Sequence, residues 1–396
     1  MQECICLLCL NLTERVTVWK EMLINMKKKK TQKKKGVKVV IKVLLVLLVL
    51  MLGAVFLFIN SKLNKLVDKD QQKEKKDIEI SDAVTDSMED DYITIALFGL
   101  DARAGDDMTK SGTAHSDAVI IASIDKKTKD VRLASVYRDC FVEIASEGQG
   151  TQKFTHAYMI GGPKCAVETL NKNLDLNIKD YVAVNFEALT KAIDALGGVE
   201  INVKSNELEN LNKNLQEQIE VTGIASDGVW QSGKQVLNGA QATAYARIRK
   251  VGNGDFERTQ RQRAVIKAMV KKAKESDFST INDAINEVLP LVATNLTKGQ
   301  ILSLGKDVLS YDLDENEGFP LSNTTPTLGS KGSVVVPANL YSNVKHLHSF
   351  LYPNDDEYTV SDEVQRISDA ISNETGVGDM FTDDTKEAKT QTNSDE

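Results

Sequence analysis

The sequence predicts an α/β domain of three layers, with a mixed β-sheet between two layers of helices, preceded by one transmembrane helix. Short β-rich apolar runs at 93–99, 118–124 and 131–137 predict strands. Apolar residues then recur at helical spacing, and strands that alternate with helices form a sheet covered by helices on its faces. Because a polar turn at 125–130 joins the second and third strands as a hairpin, the sheet is mixed rather than purely parallel.

The later elements follow from the same patterns. A strand at 181–186 leads into a helix at 187–196, which Gly197 and Gly198 end. Strands are also predicted at 199–203 and 332–336. Further helices are predicted at 163–174, 237–245, 258–274, 281–289, 298–309, 344–351 and 360–373.

An apolar run at 39–59, interrupted only by Lys42, is long enough to span a bilayer once. Seven Lys between Lys27 and Lys35 place the preceding segment in the cytoplasm and the rest of the chain outside, at the cell membrane. A cleaved signal peptide is the alternative. It is disfavoured because the run is longer than the apolar part of a signal peptide and no small-residue cleavage site follows it.

The chain is therefore divided into five segments around this helix. Residues 1–38 form a cytoplasmic tail, whose first 25 residues read as a mis-called start or, with three Cys, as a lipidated or redox-active tail. The charge-rich segment 60–91 is predicted to be a solvated stalk. The folded domain, with a C-terminal extension, occupies 92–373, and 374–396 is predicted to be a disordered tail.

The distribution of charge excludes nucleic acid as the main partner. The net charge is -8, yet residues 26–42 carry nine Lys and no acidic residue. The chain beyond them is therefore strongly acidic. Because phosphate backbones require a basic footprint, we expect no nucleic acid on the folded domain.

Two aspartates flank one predicted edge of the sheet. Asp101 follows the first strand, and Asp117 lies at the start of the second. Two carboxylates without a neighbouring Cys or His cluster suit an oxygen-liganded cation, Mg²⁺ or Mn²⁺. The alternative is that each serves only as a turn or cap residue.

Basic residues are concentrated between 245 and 263. Arg247 and Arg249 share one face if this part is extended. If the next part is helical, one stripe carries Arg258, Arg261 or Gln262, Val265 and Met269. Arginine suits bidentate recognition of phosphate, so the pattern predicts a phosphate-binding surface that continues into an apolar groove. A solvated, salt-bridged helix face is the alternative.

Cys140 and Cys165 are the only cysteines after the apolar run. Outside the membrane they could pair as a disulfide. A catalytic thiol is a less favoured reading, and a zinc site is disfavoured because the four His are dispersed along the chain.

Seven motifs in order resemble the LytR–CpsA–Psr family of cell-wall ligases, from about Tyr92 to Ala273. They read FGLDAR (98–103), SD (116–117), SVYRD (135–139), KFTHAY (153–158), DALGGVEINV (194–203), LNGAQATAYARIR (237–249) and DFERTQRQ (255–262). No single motif is specific, but seven in sequence are. Four positions depart from the family's pattern: His115 stands for an arginine, Tyr137 for a proline, Cys140 for a threonine and Thr155 for an asparagine.

The resemblance implies a Mg²⁺-dependent phosphotransferase that moves a glycopolymer from a polyprenyl-pyrophosphate carrier to peptidoglycan. It implies that Asp101 and Asp117 position the metal, and that Val265 and Met269 hold part of the polyprenyl chain. The implied pyrophosphate ligands are Arg103, Arg138, Arg247, Arg249, Arg258, Arg261 and Gln262. The polymer is left open among teichoic acid, capsule and other wall glycans.

Phosphoryl transfer depends on positioning and charge neutralisation, which gives Arg138 a catalytic role. The acceptor hydroxyl also needs a base, for which Asp139 and Asp255 are the candidates. Two other functions stay open: a non-catalytic sensor of lipid-linked precursors and a polyprenyl-pyrophosphate hydrolase. The retained metal and arginine positions favour an enzyme over a sensor.

Overall fold

The computed structural model describes residues 75–377, except 104, 308–309 and 314. The predicted tail at 1–38 and transmembrane helix at 39–59 lie outside the described residues. So do the first part of the predicted stalk and the tail from 378 onwards. No helix in the described part of the chain is long and apolar enough to cross a membrane.

The strands and helices follow in chain order. The strands are β1 (Tyr92–Leu100), β2 (Ser116–Asp125), β3 (Val131–Val136), β4 (Phe141–Glu143), β5 (Thr151–Lys153), β6 (Asp180–Asn185), β7 (Val199–Val203), β8 (Gly233–Leu237), β9 (Val292–Thr294), β10 (Asn316–Phe319), β11 (Asn323–Thr324), β12 (Thr327–Leu328), β13 (Gly332–Ser333) and β14 (Val336–Pro337). The helices are α1 (Asp86–Asp90), α2 (Thr155–Leu174), α3 (Phe186–Ala195), α4 (Leu208–Thr222), α5 (Gly239–Ala246), α6 (Asp255–Glu275), α7 (Phe278–Val288), α8 (Lys298–Lys306), α9 (Leu340–Leu351) and α10 (Asp362–Thr375).

A six-stranded mixed sheet, in the order β10-β3-β2-β1-β6-β9, forms the centre of the domain. Strand β2 is antiparallel to both β1 and β3, and β6 to β9. The pairs β1–β6 and β3–β10 are parallel. The predicted mixed sheet is therefore confirmed.

Residues of β2 alternate between two hydrophobic clusters, one on each face of the sheet. Val119 and Ile121 belong to the large cluster, which also contains residues of α2, α9 and α10. Ile120 and Ala122 belong to the cluster on the other face, where Ile266 of α6 packs against them. Because successive side chains of a strand point to opposite faces, this alternation places the sheet between two helical layers.

A smaller lobe with its own core lies beside the sheet. Inward-facing residues of β7, together with residues of α3, α4, α5 and α6, form this core. The strand predicted at 199–203 is present, but it pairs with β8 as a separate hairpin. The sequence pattern missed α4, because its buried residues Leu211 and Leu215 stand among polar ones.

Helix α2 begins eight residues before the predicted start, and it is kinked at two glycines. Gly161 and Gly162 have non-helical backbone angles, with φ of 68° at Gly162. A Cβ at Gly161 would lie 2.5 Å from the Cβ of Cys165. Pro163 is accommodated because it opens the second half of the helix, where no amide donor is needed.

Residues 75–91 are part of the domain, so the predicted stalk is wrong over this range. Lys75 forms an ion pair with Asp180 at the start of β6. Ile78 and Met88 are buried in the large cluster. The composition misled because many charged residues surround these two apolar side chains.

The C-terminal elements also differ from the prediction. The residues predicted as a strand at 332–336 are divided between β13 and β14, which lie outside the central sheet. In chain order, the last two strands of the central sheet are instead β9 and β10, which are too short to show a clear periodicity. Helix α10 ends at Thr375, so the boundary drawn at 374 falls inside the helix.

Met88→Ala is expected to lower the free energy of unfolding by about 2–5 kcal/mol, because Met88 is fully buried and its truncation leaves a cavity. The measurement is chemical denaturation of the purified protein. Glu89→Ala, on the exposed side of the same short helix, is the matched control and should change stability little. Equal stabilities of the two variants would restore the stalk interpretation.

Candidate functional site

The site is built at one edge of the central sheet. Because β2 runs antiparallel to β1 and β3, its start lies beside their ends. Gly99 permits the close pairing of β1 with β2, since a Cβ there would lie 2.9 Å from the Cβ of Ala118. The register shifts directly after Gly99, where the chain leads into Asp101. Such a bulge redirects the residues that follow it.

Arginines and aspartates from four segments of the chain are in contact at this edge. The Asp117 carboxylate pairs with Arg138 and lies 3.6 Å from the Arg249 guanidinium. Asp255, the first residue of α6, is 3.5 Å from Arg249 and 3.2 Å from Arg258. Arg258 also donates to the backbone carbonyl of Asp117 at 3.1 Å. The structure thus brings together five of the predicted site residues, and their roles stay predictions.

Asp139 is held on the other side of this cluster. Its carboxylate lies 3.3 Å from Lys153 Nζ and 3.6 Å from Arg138 Nε. Lys153 ends β5, which pairs with β4 directly after Asp139. Lys153 opens the KFTHAY motif, for which no site role was predicted, and its contact with Asp139 places it at the site.

The two candidate bases differ in environment. Burial raises the pKa of the Asp255 carboxyl above its ordinary value, although Arg249 opposes the shift. Asp139 is instead held by two cationic groups, Lys153 and Arg138.

A cavity of about 280 Å³ opens beside the arginine cluster. Its apolar lining comprises Leu100, Val184, Phe186, Leu189 and Ala246. Polar residues of α4 also line it, namely Asn210, Lys213, Asn214 and Glu217. The cavity residues were missed because they come from distant segments, and each reads locally as a core or surface position.

Two residues that line this cavity each carry a buried polar atom without a partner. Arg258 Nε and Gln262 Oε1 have no hydrogen-bond partner among the described residues. Buried polar groups are nearly always hydrogen-bonded, so these two point to a polar ligand. A ligand with a charged head and an apolar tail would satisfy both parts of the cavity.

Arg247 is fixed at the same cavity by α4 and α3. It donates to Gln218 at 3.2 Å, and its guanidinium lies 4.7 Å from the centre of the Phe186 ring. Glu217 lies 3.7 Å away. Because Arg247 contacts a carboxylate and an aromatic face at once, its guanidinium is oriented before any ligand binds.

Arg261 and Val265 lie in the interior and do not line the cavity, so the structure does not bring them to the site, and their contact with ligand stays a prediction. Arg261 is 4% exposed and donates at 2.8 Å to each of Glu207 and Glu257. Val265 is 1% exposed and belongs to the core of the smaller lobe. Met269 packs against the same core. The helical stripe faces the core, as amphipathic stripes commonly do.

Asp101 and Arg103 lie at the exposed margin of the site. Asp101 accepts a hydrogen bond of 2.6 Å from the backbone amide of His115. Arg103 is exposed in the loop that follows. Within the described part of the chain, no ion pair joins the Arg103 guanidinium to the arginine cluster. The structure therefore does not place Arg103 in that cluster.

The donors suited to a metal are the carboxylates of Asp101 and Asp117. No group of three or more His, Cys, Asp or Glu residues that could hold an ion occurs within 75–377, gaps excepted. Mg²⁺ commonly uses one or two carboxylates together with phosphate oxygens. These residues therefore fit a metal that shares its coordination with a phosphate ligand.

The cysteines do not form the predicted disulfide, because Cys140 and Cys165 are both free. Both are buried in the large cluster. Burial raises the pKa of each thiol, which disfavours the reactive thiolate. Neither cysteine is therefore suited to act as a nucleophile.

Tyr137, which stands where the family pattern has a proline, connects two parts of the site. Its ring meets that of Phe256 edge to face, with centroids 4.6 Å apart. Arg138 and Asp255 are the chain neighbours of these two rings. The aromatic contact therefore fixes the end of β3 against the start of α6.

The fold and site define an α/β protein with an arginine-rich cluster at the strand edge, beside a partly apolar cavity. The chain belongs to the LytR–CpsA–Psr family, because the LytR_cpsA_psr family model matches residues 54–343.

Its relatives include two proteins named polyisoprenyl-teichoic acid–peptidoglycan teichoic acid transferase TagU. The one from Oceanobacillus iheyensis is 32% identical over 291 residues, which is 72% of this chain and 79% of that protein. The one from Bacillus mycoides is 30% identical over 259 residues, covering 64% and 78%.

Solved structures share the fold. Protein gbs0355 from Streptococcus agalactiae has a TM-score of 0.57 at 26% identity, covering 71% of this chain and 93% of that one. TagT from Bacillus subtilis has a TM-score of 0.50 at 26% identity, covering 69% and 97%.

Arg261→Ala is expected to destabilise the domain by about 3–5 kcal/mol, because it leaves Glu207 buried without its partner. Thermal and chemical denaturation measure the loss. Arg249→Ala is the control: its side chain is 41% exposed, and its removal should cost less than about 1 kcal/mol. If the two variants were equally stable, Arg261 would be a ligand-binding residue rather than a structural one.

Proposed function

We propose that this protein is a membrane-anchored phosphotransferase. It moves a glycopolymer from a polyprenyl-pyrophosphate carrier to peptidoglycan and releases polyprenyl phosphate. The observation that carries this proposal is the pair of unpartnered polar atoms, Arg258 Nε and Gln262 Oε1, on two residues that line a partly apolar cavity. The relatives' names supply the substrate class, teichoic acid and peptidoglycan.

The substrate's two chemical parts match two parts of the site. In this proposal the pyrophosphate lies against Arg249 and Arg258, which line the cavity, and against Arg138, which pairs with Asp117 beside them. The first part of the hydrocarbon chain packs against the apolar lining, including Val184 and Leu189. Because Asp117 and Asp255 now hold these arginines, the phosphate oxygens exchange with carboxylates as the ligand binds.

The reaction is a displacement at the phosphorus atom that carries the glycopolymer. The hydroxyl oxygen of the acceptor attacks this phosphorus, and the bond between the phosphorus and the bridging oxygen of the pyrophosphate breaks. The bridging oxygen leaves with the polyprenyl phosphate, and the hydroxyl proton passes to a carboxylate. Guanidinium groups of Arg138 and Arg249 neutralise the charge that develops on the phosphate oxygens.

Asp255 is the favoured base of the two candidates. Its raised pKa brings it closer to the working pH, which improves a general base. Asp139, held by Lys153 and Arg138, positions Arg138 instead. Mg²⁺ held by Asp101 and Asp117 would supply further neutralisation of the phosphate charge.

The location follows from the predicted anchor at 39–59 and the Lys-rich segment before it. We propose that the catalytic domain faces the outside of the cell membrane, where peptidoglycan is available. An acidic domain in that place would not meet nucleic acid.

Arg138→Ala is expected to lower the transfer rate by about 10²–10³, because one charge-stabilising donor is removed. The assay uses the full chain in detergent with Mg²⁺, a lipid-linked glycopolymer and peptidoglycan, and measures polymer attached to glycan. EDTA should abolish transfer if the proposed metal is required.

The matched control is Arg132→Ala on β3, the strand that leads to Arg138; its guanidinium pairs with Glu315 outside the site. Phosphate release without attachment would favour a hydrolase. Tight lipid binding without turnover would favour a sensor.

The pH profile distinguishes the two carboxylates. A general base acts only when deprotonated, so kcat/KM should fall as the pH drops through the pKa of Asp255. Because that pKa is raised, the acidic limb lies at higher pH than an ordinary Asp would give. Asp255→Asn should remove the limb and lower the rate about 10²–10⁴. Asp139→Asn should keep the acidic limb. If Asp139→Asn removed the limb and Asp255→Asn kept it, Asp139 would be the base.

A further inference from the structure

Among the large hydrophobic side chains in the described part of the chain, that of Trp230 is the most exposed, at 79%. It lies in the loop between α4 and β8, in the smaller lobe. An indole this exposed lacks the hydrophobic stabilisation that tryptophan normally gains when its apolar surface is buried. Its neighbours in the loop nevertheless hold it in one place.

The residue before Trp230 is fixed from both sides. Val229 is buried in the core of the smaller lobe. Its backbone amide donates to Asn212 Oδ1 at 2.8 Å, and its carbonyl accepts from Asn212 Nδ2 at 2.7 Å. A single side chain thus satisfies both backbone groups of Val229, which fixes the starting direction of Trp230.

The rest of the loop is held in the same manner. Gln241 donates to the backbone carbonyl of Asp227 at 2.9 Å, and Asn238 donates to Ser226 at 2.9 Å. Ordering a loop costs about 1–2 kcal/mol of conformational entropy for each residue. These amide contacts offset that cost, so the loop presents Trp230 from a rigid support.

The indole ring lies directly against the backbone of Gly228. A Cβ at Gly228 would be 2.6 Å from Cζ2 and 2.8 Å from Cε2 of Trp230, so only glycine allows this contact. The ring is supported by the backbone, and most of its surface faces solvent. This arrangement is a flat, rigid and open aromatic platform.

We propose that Trp230 is a stacking platform for a glycan strand, at a site separate from the catalytic cavity. The C–H bonds on one face of a pyranose ring carry partial positive charge and stack on the negative face of an indole. Gln231 and Ser232, both exposed, follow directly and offer partners for sugar hydroxyl groups.

The platform lies away from the cavity. On α4, Asn212 is about 160° around the helix from Asn214 and about 140° from Glu217, and both of these residues line the cavity. A sugar on Trp230 therefore does not compete with the lipid-linked substrate. For the identity of the glycan, peptidoglycan, this inference rests on the proposed function.

A membrane surface is the less favoured occupant. Contact with a bilayer requires a broad apolar face and basic residues towards anionic lipid. The loop around Trp230 instead carries Asp227, Gln231 and Ser232, all exposed. One indole among polar side chains suits a sugar ring better than a lipid surface.

The test uses the fact that the chain has two tryptophans, Trp19 and Trp230. In the full chain carrying Trp19→Phe, intrinsic fluorescence reports on Trp230 alone. Titration with the β-1,4-linked N-acetylglucosamine hexamer should change this fluorescence saturably. Cosedimentation with purified peptidoglycan sacculi should be about tenfold weaker for Trp230→Ala, and Val236→Ala, exposed on β8, is the control.

Several outcomes would overturn the inference. One is sacculus binding by Trp230→Ala equal to that of the parent protein, and another is hexamer titration without a fluorescence change. Loss of binding to phosphatidylcholine–phosphatidylglycerol vesicles, with sacculus binding intact, would assign Trp230 to the membrane. Transfer activity with Trp230-independent sacculus binding rejects this inference alone. Trp230-dependent glycan binding without any transfer rejects the proposed function alone.

Discussion

The compensation of arginine charge by Asp117 is the constraint on which the site depends. Three guanidinium groups meet at one sheet edge, and like charges this close would repel one another strongly outside bulk water. Asp117 separates Arg138 from Arg249, and Asp255 separates Arg249 from Arg258. The acids hold the arginines in place, and in the proposed function each acid gives them up to a more highly charged phosphate. The site is therefore preorganised without being blocked.

This compensation requires elements that are distant in the chain. Asp117 and Arg138 are brought together by the antiparallel pairing of β2 with β3. Asp255 arrives on α6, whose first turn is set against β3 by the contact of Phe256 with Tyr137. Through this aromatic contact, Tyr137 links the end of β3 to the helix that supplies Asp255.

Local patterns predicted what local geometry determines. The hairpin after β2 made the adjacency of Asp117 and Arg138 predictable, because a six-residue turn leaves little choice of pairing. The cavity was not predictable in this way, since Val184 and Ala246 become neighbours only through tertiary packing. Val265 shows why the sequence pattern alone could not place the apolar stripe of α6. An apolar stripe has the same spacing whether it faces a groove or a core. Met88 was hidden because the few apolar residues of 75–91 stand among many charges and do not produce a periodic signal.

Helix α6 has a consequence beyond the site that it begins. Its first turn carries Asp255 and Arg258, its second turn anchors the smaller lobe through Arg261, and Ile266 packs on the central sheet. One helix is thus shared by three structural units, and local opening of any one of them would disturb the other two. The lobe and the sheet are expected to unfold as one cooperative unit, so the arginine-rich edge of the sheet is not expected to open separately.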